Sequence, residues 1–128
     1  KNREWFRPFA PIVLNEFKSD WFEIDYESPF MLEAVPVRAD KKDVIPAVIH
    51  VDNTARVQTL KEEDNPKLTQ LLRAHQQLTG IPVLLNTSLN LGGEPLVESP
   101  EDAFKLFEKG NVDVLVLGNK VYKKVKKA

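Results

Sequence analysis

Two helical segments, each followed by an apolar run, constrain the fold of this chain more than any other feature. Residues 64–80 contain an Asn-Pro pair and end in glycine, and residues 99–110 begin with a Ser-Pro pair and also end in glycine. A capping side chain before a proline at the first helical position, with glycine as terminator, is typical of a helix. The apolar runs 81–86 and 112–118 that follow are predicted as buried strands.

Shorter segments extend this alternation of helices and strands. We predict an extended segment over 5–14, a short amphipathic helix over 15–23, and a strand over 28–39 whose Pro36 indicates an edge position or a bulge. The last strand is predicted over 120–126. Such an order predicts an α/β sheet with at least one face covered by helices.

Two of the predicted elements have a defined apolar side. The segment 54–60 alternates, so we predict a strand with Ala55, Val57 and Thr59 on one face. Four leucines recur at helical spacing in the first long helix and are predicted to form its apolar stripe: Leu68, Leu71, Leu72 and Leu78.

Size and composition narrow the class of protein. A length of 128 residues predicts a single domain over 1–128, and a formal net charge of −1 argues against a protein that coats nucleic acid. No cysteine is present, which excludes disulfides and thiolate ligands. No apolar run reaches the roughly 20 residues that span a bilayer, so we expect no membrane insertion and a cytoplasmic location. The abrupt, methionine-free start suggests a segment of a longer protein.

Polar residues replace apolar ones at the end of the predicted strand 81–86. Asn86, Ser88 and Asn90 are followed by the pair Gly92-Gly93. These side chains could merely bond to nearby backbone in a turn. They could also form the wall of a pocket, because ligands of α/β sheets bind at the carboxyl ends of strands and glycine allows close backbone approach or a positive φ. The pattern alone leaves both possibilities open.

The first seven residues carry three cations. On an extended strand Lys1, Arg3 and Arg7 share one face beside an aromatic ring. Such a group suits a phosphate or oxyanion clamp, although the residues alone favour ordinary surface charge over a buried aromatic stem.

The segment "HVDNTAR" places His50, Asp52, Thr54 and Arg56 at alternating positions. In an extended conformation they face one way and could serve acid–base chemistry or a metal. A single His-Asp pair is not a metal signature, so we predict no metal site here. The other histidine, His75, is expected on a solvated helix surface.

Taken in order, several segments resemble the C-terminal domain of carbamoyltransferases of the nodulation-protein and antibiotic-tailoring type. They are "REWFRPFAP", "SPFM", "HVDNTARVQ", "LLNTSLN" and the following "GEP", and the resemblance extends over nearly the whole chain. It implies a YrdC-like α/β fold, a twisted mixed sheet with helices packed on it. That fold is shared with threonylcarbamoyladenylate synthases and hydrogenase-maturation proteins.

The resemblance also implies an activity and a partner. Family members are expected to condense carbamoyl phosphate with ATP, accompanied by Mg²⁺, to form carbamoyl adenylate. An N-terminal domain of the actin-like ATPase type would then transfer the carbamoyl group to a hydroxyl of a small-molecule acceptor.

Site residues follow from the matching motifs. In the pattern K-x-R with a distant S-x-N, Lys1 and Arg3 would bind phosphate, with Ser88 and Asn90 completing the nucleotide pocket. Arg56 would bind a further anion group. The resemblance adds three neighbours to this set: Thr54, Asn86 and, more weakly, Arg7.

Two positions depart from the family pattern. Leu89 stands where an aromatic residue is usual, and Asn53 stands where glycine is usual. Neither removes a proposed ligand, because Asn can also adopt the left-handed conformation.

Two rival functions remain from other classes. The chain could be a non-catalytic module that docks on a partner active site, or an RNA-binding relative with a YrdC-like fold. Retention of the cations together with Ser88 and Asn90 argues against the first, and the near-neutral charge against the second.

Overall fold

The computed structural model describes residues 1, 4 and 6–125. These residues divide into two compact units. The N-terminal unit comprises the described residues of Glu4–Thr87, and the C-terminal unit comprises Lys1 and the described residues from Ser88 onward. The single domain expected over 1–128 stays a prediction.

A three-stranded sheet organises the N-terminal unit. Its central strand β1 (Ala10–Leu14) lies between a parallel neighbour, β4 (Gln58–Leu60), and an antiparallel neighbour, β5 (Val83–Asn86). The sheet is therefore mixed, and with its helices it confirms the predicted α/β class. The more specific likeness to a YrdC-like fold stays an expectation.

Both faces of β1 are covered, which explains why it is apolar throughout. Val13 packs on one side with Phe22 and Val57. Leu14 packs on the other side with Leu72. A strand with core on both faces has no need of a polar alternation.

Helix α2 (Pro66–Thr79) is formed by the local signals that predict it. The Asn65 side chain accepts from the N–H of Leu68 at 3.1 Å, and Gly80 ends the helix. The predicted leucine stripe is wrong in part, because Leu71 and Leu78 are 58% and 86% exposed. Only the side of α2 that faces the sheet, with Leu72 fully buried, is covered.

The predicted strand over 28–39 is much shorter in the structure. Only β2 (Val35–Pro36) is a strand, paired with β3 (Thr54–Ala55), and Pro36 lies in this two-stranded sheet, where every strand is an edge. Residues 28–34 instead contain a turn in which Met31 has φ +54°. Ser28 anchors this segment by donating to the Thr59 hydroxyl in β4 and to the carbonyl of Val57, just before β4.

The predicted strand 54–60 is divided into β3 and β4, which belong to different sheets. The change of partner occurs at residues 56 and 57. Its apolar face is nevertheless confirmed, since Ala55, Val57 and Thr59 are all buried.

The short helix expected over 15–23 is also confirmed, as a 3₁₀ turn, Asn15–Phe17, followed by α1 (Lys18–Trp21).

The C-terminal unit contains helix α3 (Pro100–Lys109) and a hairpin of β6 (Val114–Leu117) with β7 (Lys120–Lys123). The Ser99 hydroxyl caps α3 by accepting from the N–H of Asp102 at 3.1 Å. One face of the hairpin packs on α3.

The prediction that the run 112–118 is a buried strand is wrong for its second face. Leu115 is buried against α3, but Val114 and Val116 are exposed. A two-stranded hairpin with one covered face produces this alternation.

In the described part of the chain no helix combines the length and apolarity that crossing a membrane requires.

Candidate functional site

The Lys1 ammonium is the centre of a hydrogen-bonded cluster in the C-terminal unit. Its Nζ donates to the Ser88 carbonyl oxygen at 2.6 Å, to the Ser88 hydroxyl at 3.0 Å and to Asn90 Oδ1 at 2.8 Å. All of these acceptors are uncharged. An ammonium has three protons, and each has an acceptor here. The S-x-N motif therefore holds the lysine that the sequence predicts as its companion.

The orientation of the Asn90 amide follows from a backbone group. Asn90 Nδ2 donates to the carbonyl of Glu94 at 2.7 Å, and a carbonyl can only accept. Asn90 Oδ1 must then point the other way, where it also accepts from the Ser88 hydroxyl at 2.7 Å. Asn90 thus positions Lys1 and Ser88 through its oxygen.

The two glycines after this motif have different structural roles. A Cβ added to Gly92 would collide with the backbone carbonyl of Lys1. Gly93 has φ +80° with open space around it. The close approach and the positive φ that the sequence suggested for this pair are both present, one at each glycine. This loop packs against Lys1, which a simple turn would not do.

A second hydrogen-bonded group lies in the N-terminal unit, in the turn between His50 and Thr54. The Thr54 hydroxyl and N–H donate to Asp52 Oδ1 at 2.7 and 3.0 Å. His50 Nδ1 lies 3.0 Å from the same hydroxyl. Because that hydroxyl gives its proton to the carboxylate, it accepts from the ring nitrogen. Asn53 has φ +65°, which confirms that it takes the left-handed conformation.

The pKa of Asp52 reflects this arrangement. The hydroxyl of Thr54, its backbone N–H and the nearby His50 hold the pKa of the carboxyl below its usual range. Asp52 therefore remains an ionised acceptor that fixes the start of β3.

The two arginines of the N-terminal unit that the sequence predicts as site residues differ in their surroundings. Arg56 follows β3 directly and is exposed, and within the described residues no carboxylate forms an ion pair with it. Arg7 lies 3.3 Å from the carboxylate of Glu4. Arg56 is thus the better placed of the two for binding an external anion.

Asn86 ends β5 and is tied to a residue that sequence reasoning missed. Its Nδ2 donates to Gln58 Oε1 at 2.7 Å, and Gln58 Nε2 donates to the carbonyl of Pro29 at 3.0 Å. The available signal was the polar face of the predicted strand, where Thr54, Arg56 and Gln58 recur at every second position.

The predicted site residues fall into two sets. The structure brings Lys1, Ser88 and Asn90 together in the C-terminal unit, and it places Arg7, Thr54, Arg56 and Asn86 in the N-terminal unit. Arg3 lies outside the described residues. Within the described part of the chain, no group of three or more histidine and carboxylate side chains could hold a metal ion.

Comparison with known proteins gives a consistent result. The family described as Carbamoyltransferase C-terminus matches residues 1–124. The protein sll1178 of Synechocystis sp. and nodulation protein NolNO of Sinorhizobium fredii are each 44% identical to the chain, over 97% of its length. The 3'-hydroxymethylcephem-O-carbamoyltransferase of Amycolatopsis lactamdurans is 37% identical over 97% of the chain.

The chain spans only a fraction of these relatives, 23% of the first, 19% of the second and 24% of the third. The family match nevertheless includes every residue of the Lys1 cluster and of the His50–Thr54 turn. By this match and these identities, the chain belongs to the carbamoyltransferase C-terminus family.

Proposed function

We propose that this chain binds ATP and carbamoyl phosphate and forms carbamoyl adenylate. An N-terminal domain of the actin-like ATPase type would transfer the carbamoyl group to the hydroxyl of a small-molecule acceptor. Membership of the family supports the transferase class, and the name of the Amycolatopsis relative states an O-carbamoyltransferase. The observation that carries the proposal is the Lys1 ammonium held by Ser88 and Asn90.

The Lys1 cluster suits a phosphate oxygen for an electrostatic reason. The three acceptors supplied by Ser88 and Asn90 carry no negative charge, so these hydrogen bonds orient the ammonium without neutralising its charge. The longest of them, to the Ser88 hydroxyl at 3.0 Å, is the one that a phosphate oxygen would most easily replace. The Ser88 hydroxyl keeps its own proton on Asn90 Oδ1, so the ammonium is the group of this cluster that would donate to the phosphate.

Arg56 supplies a second cation of a different kind. A guanidinium stays protonated at any physiological pH and matches phosphate geometry with parallel donors. Asp52 and Thr54 fix the backbone from which Arg56 extends.

The proposed chemistry depends on these fixed charges. Water first takes the phosphate of carbamoyl phosphate, which leaves carbamate. A carbamate oxygen then forms a bond to the α-phosphorus of ATP as the bond to pyrophosphate breaks, which gives carbamoyl adenylate. Cations held in place stabilise the charge that develops on the phosphate oxygens. Magnesium would arrive with the nucleotide, carried by phosphates and water, since it prefers oxygen ligands of that kind.

Isothermal titration calorimetry of this chain with ATP, carbamoyl phosphate and Mg²⁺ tests the proposal. We expect Lys1→Met to weaken binding of both ligands by about 10- to 100-fold, since hydrogen bonds to charged groups contribute about 1.5–3 kcal/mol. Lys120→Met removes the same charge from an exposed position of the same unit and is expected to change neither affinity.

Arg56→Ala is the matching test in the N-terminal unit. We expect a loss of similar size, with Arg73→Ala on α2 as its control. If the parent chain binds neither ligand, or if both variants bind as the parent does, the proposal fails.

A further inference from the structure

The link from Asn86 through Gln58 to Pro29 has a fixed polarity. The carbonyl oxygen of Pro29 can only accept a hydrogen bond, so the Gln58 atom 3.0 Å from it must be the nitrogen. Gln58 then turns its oxygen toward Asn86, and the Asn86 atom 2.7 Å away must be its nitrogen. One backbone carbonyl thus determines the orientation of two amides in succession.

The anchor of this link is itself held firmly. Ser28, next to Pro29, receives a bond from the N–H of Thr59 at 2.9 Å and donates its own N–H to the Thr59 hydroxyl at 2.8 Å. The Ser28 hydroxyl donates to the carbonyl of Val57 at 3.0 Å. Thr59 is buried in β4. The Pro29 carbonyl therefore has little freedom to turn away.

The two amides also belong to rigid elements. Gln58 begins β4 and Asn86 ends β5, the strands on either side of β1. The link therefore joins both neighbours of the central strand. Asn86 cannot rotate its amide without breaking a hydrogen bond that bridges the sheet.

This orientation leaves a specific group of Asn86 for a ligand. With Nδ2 turned to Gln58, Oδ1 is the free end of the amide, and nothing among the described residues donates to it. A carbonyl-type oxygen attracts N–H donors and repels phosphate oxygens. At this position the amide is suited to an amino group.

We propose that Asn86, oriented by Gln58, accepts a hydrogen bond from the amino group of carbamoyl phosphate. Gln58 is then a positioning residue that sets selectivity for a carbamoyl over other acyl phosphates. This inference rests on the proposed function.

Acetyl phosphate provides the test, because a methyl group of similar size replaces the amino group and cannot donate. Calorimetry of the chain is expected to show carbamoyl phosphate bound about tenfold more tightly than acetyl phosphate, the usual effect of leaving a polar group unpaired. Gln58→Met keeps the side-chain length but makes no hydrogen bond. We expect it to bring the affinity ratio near one while the affinity for acetyl phosphate stays unchanged.

Gln77→Met, on the exposed surface of α2, is the matched control and should keep the parent ratio. A parent chain that binds both acyl phosphates equally overturns the inference and leaves the proposed function standing, without needing any variant to fold. A parent ratio of ten that Gln58→Met leaves intact overturns the role of Gln58. Failure to bind carbamoyl phosphate, ATP and acetyl phosphate overturns the proposed function itself.

Discussion

Asn86 and Asn90 lie four positions apart, and the structure uses them in opposite ways. Asn90 Nδ2 donates directly to the backbone carbonyl of Glu94. Asn86 Nδ2 donates to the side-chain oxygen of Gln58, whose own nitrogen donates to the backbone carbonyl of Pro29. The oxygen of Asn90 is occupied by Lys1 and Ser88, whereas the oxygen of Asn86 has no donor among the described residues. The same side chain therefore positions a cation in one unit and presents an acceptor in the other.

The largest effect should come from removing the two amides separately. Asn90→Ala takes one acceptor from the Lys1 ammonium, and we expect about tenfold weaker binding of every phosphate ligand, including ATP and acetyl phosphate. Asn86→Ala should weaken only carbamoyl phosphate. Calorimetry with the three ligands measures both patterns.

The contrast between the two asparagines fails if their patterns coincide. Equal losses on all three ligands in both variants would mean that Asn86 also supports the phosphate. Asn65→Ala, which removes the cap of α2, serves as control for a change in stability alone, because it should lower the melting temperature without altering relative affinities.

A smaller effect is expected from the glycines beside Lys1. Gly92→Ala forces the Lys1 backbone to move, so we expect phosphate affinity to fall by about fivefold through displacement of the ammonium. Gly93→Ala meets no atom but strains a positive φ, which should cost about 1 kcal/mol of unfolding free energy and leave affinity within about twofold.

Calorimetry and urea denaturation of the two variants separate these effects. If Gly93→Ala weakens phosphate binding as much as Gly92→Ala, general loosening of the loop, and not the position of Lys1, controls affinity.

The smallest effect concerns the Asp52 carboxylate. The Thr54 hydroxyl orients this carboxylate, whereas backbone carbonyls orient the two asparagines. Thr54→Val removes the hydroxyl but keeps the backbone N–H, so the pKa of Asp52 should rise toward its usual range. In the parent, this depressed pKa stabilises the fold above the usual pKa of an aspartate, and that stabilisation is lost as the pH falls through the folded pKa.

A carboxyl NMR titration of the parent, Thr54→Val and Thr79→Val measures the change. Thr79→Val, at the end of α2, should leave the Asp52 titration where it is. An unchanged pKa in Thr54→Val would show that the hydroxyl does not hold the carboxylate.

Local signals explain which parts of the fold could be predicted from the sequence. The caps at Asn65 and Ser99 act within one helical turn, and both helices begin where predicted. Exposure of Leu78 and Val116 depends on which faces other elements cover, and periodicity contains no information on that point. The break between β3 and β4 depends in the same way on a change of strand partner.

The candidate site, like the fold, could be predicted only in part from the sequence. Its residue types were visible in the motifs, including Lys1, Ser88 and Asn90. Their orientation was not, because it is determined by backbone carbonyls and by a glutamine 28 positions from its partner Asn86. Pairing at that separation requires the completed sheet.

The central position of β1 has a consequence for synthesis of the chain. Ile12 pairs with Gln58 and with Leu84, so β1 is made well before both of its neighbours in the sheet. At ribosomal rates of about 5–20 residues per second, an apolar segment waits several seconds for β5 to emerge. Until β4 emerges Ala10–Leu14 is an unpaired hydrophobic strand, and until β5 emerges it keeps one open edge; translation speed or chaperone capacity should therefore govern the yield of soluble protein.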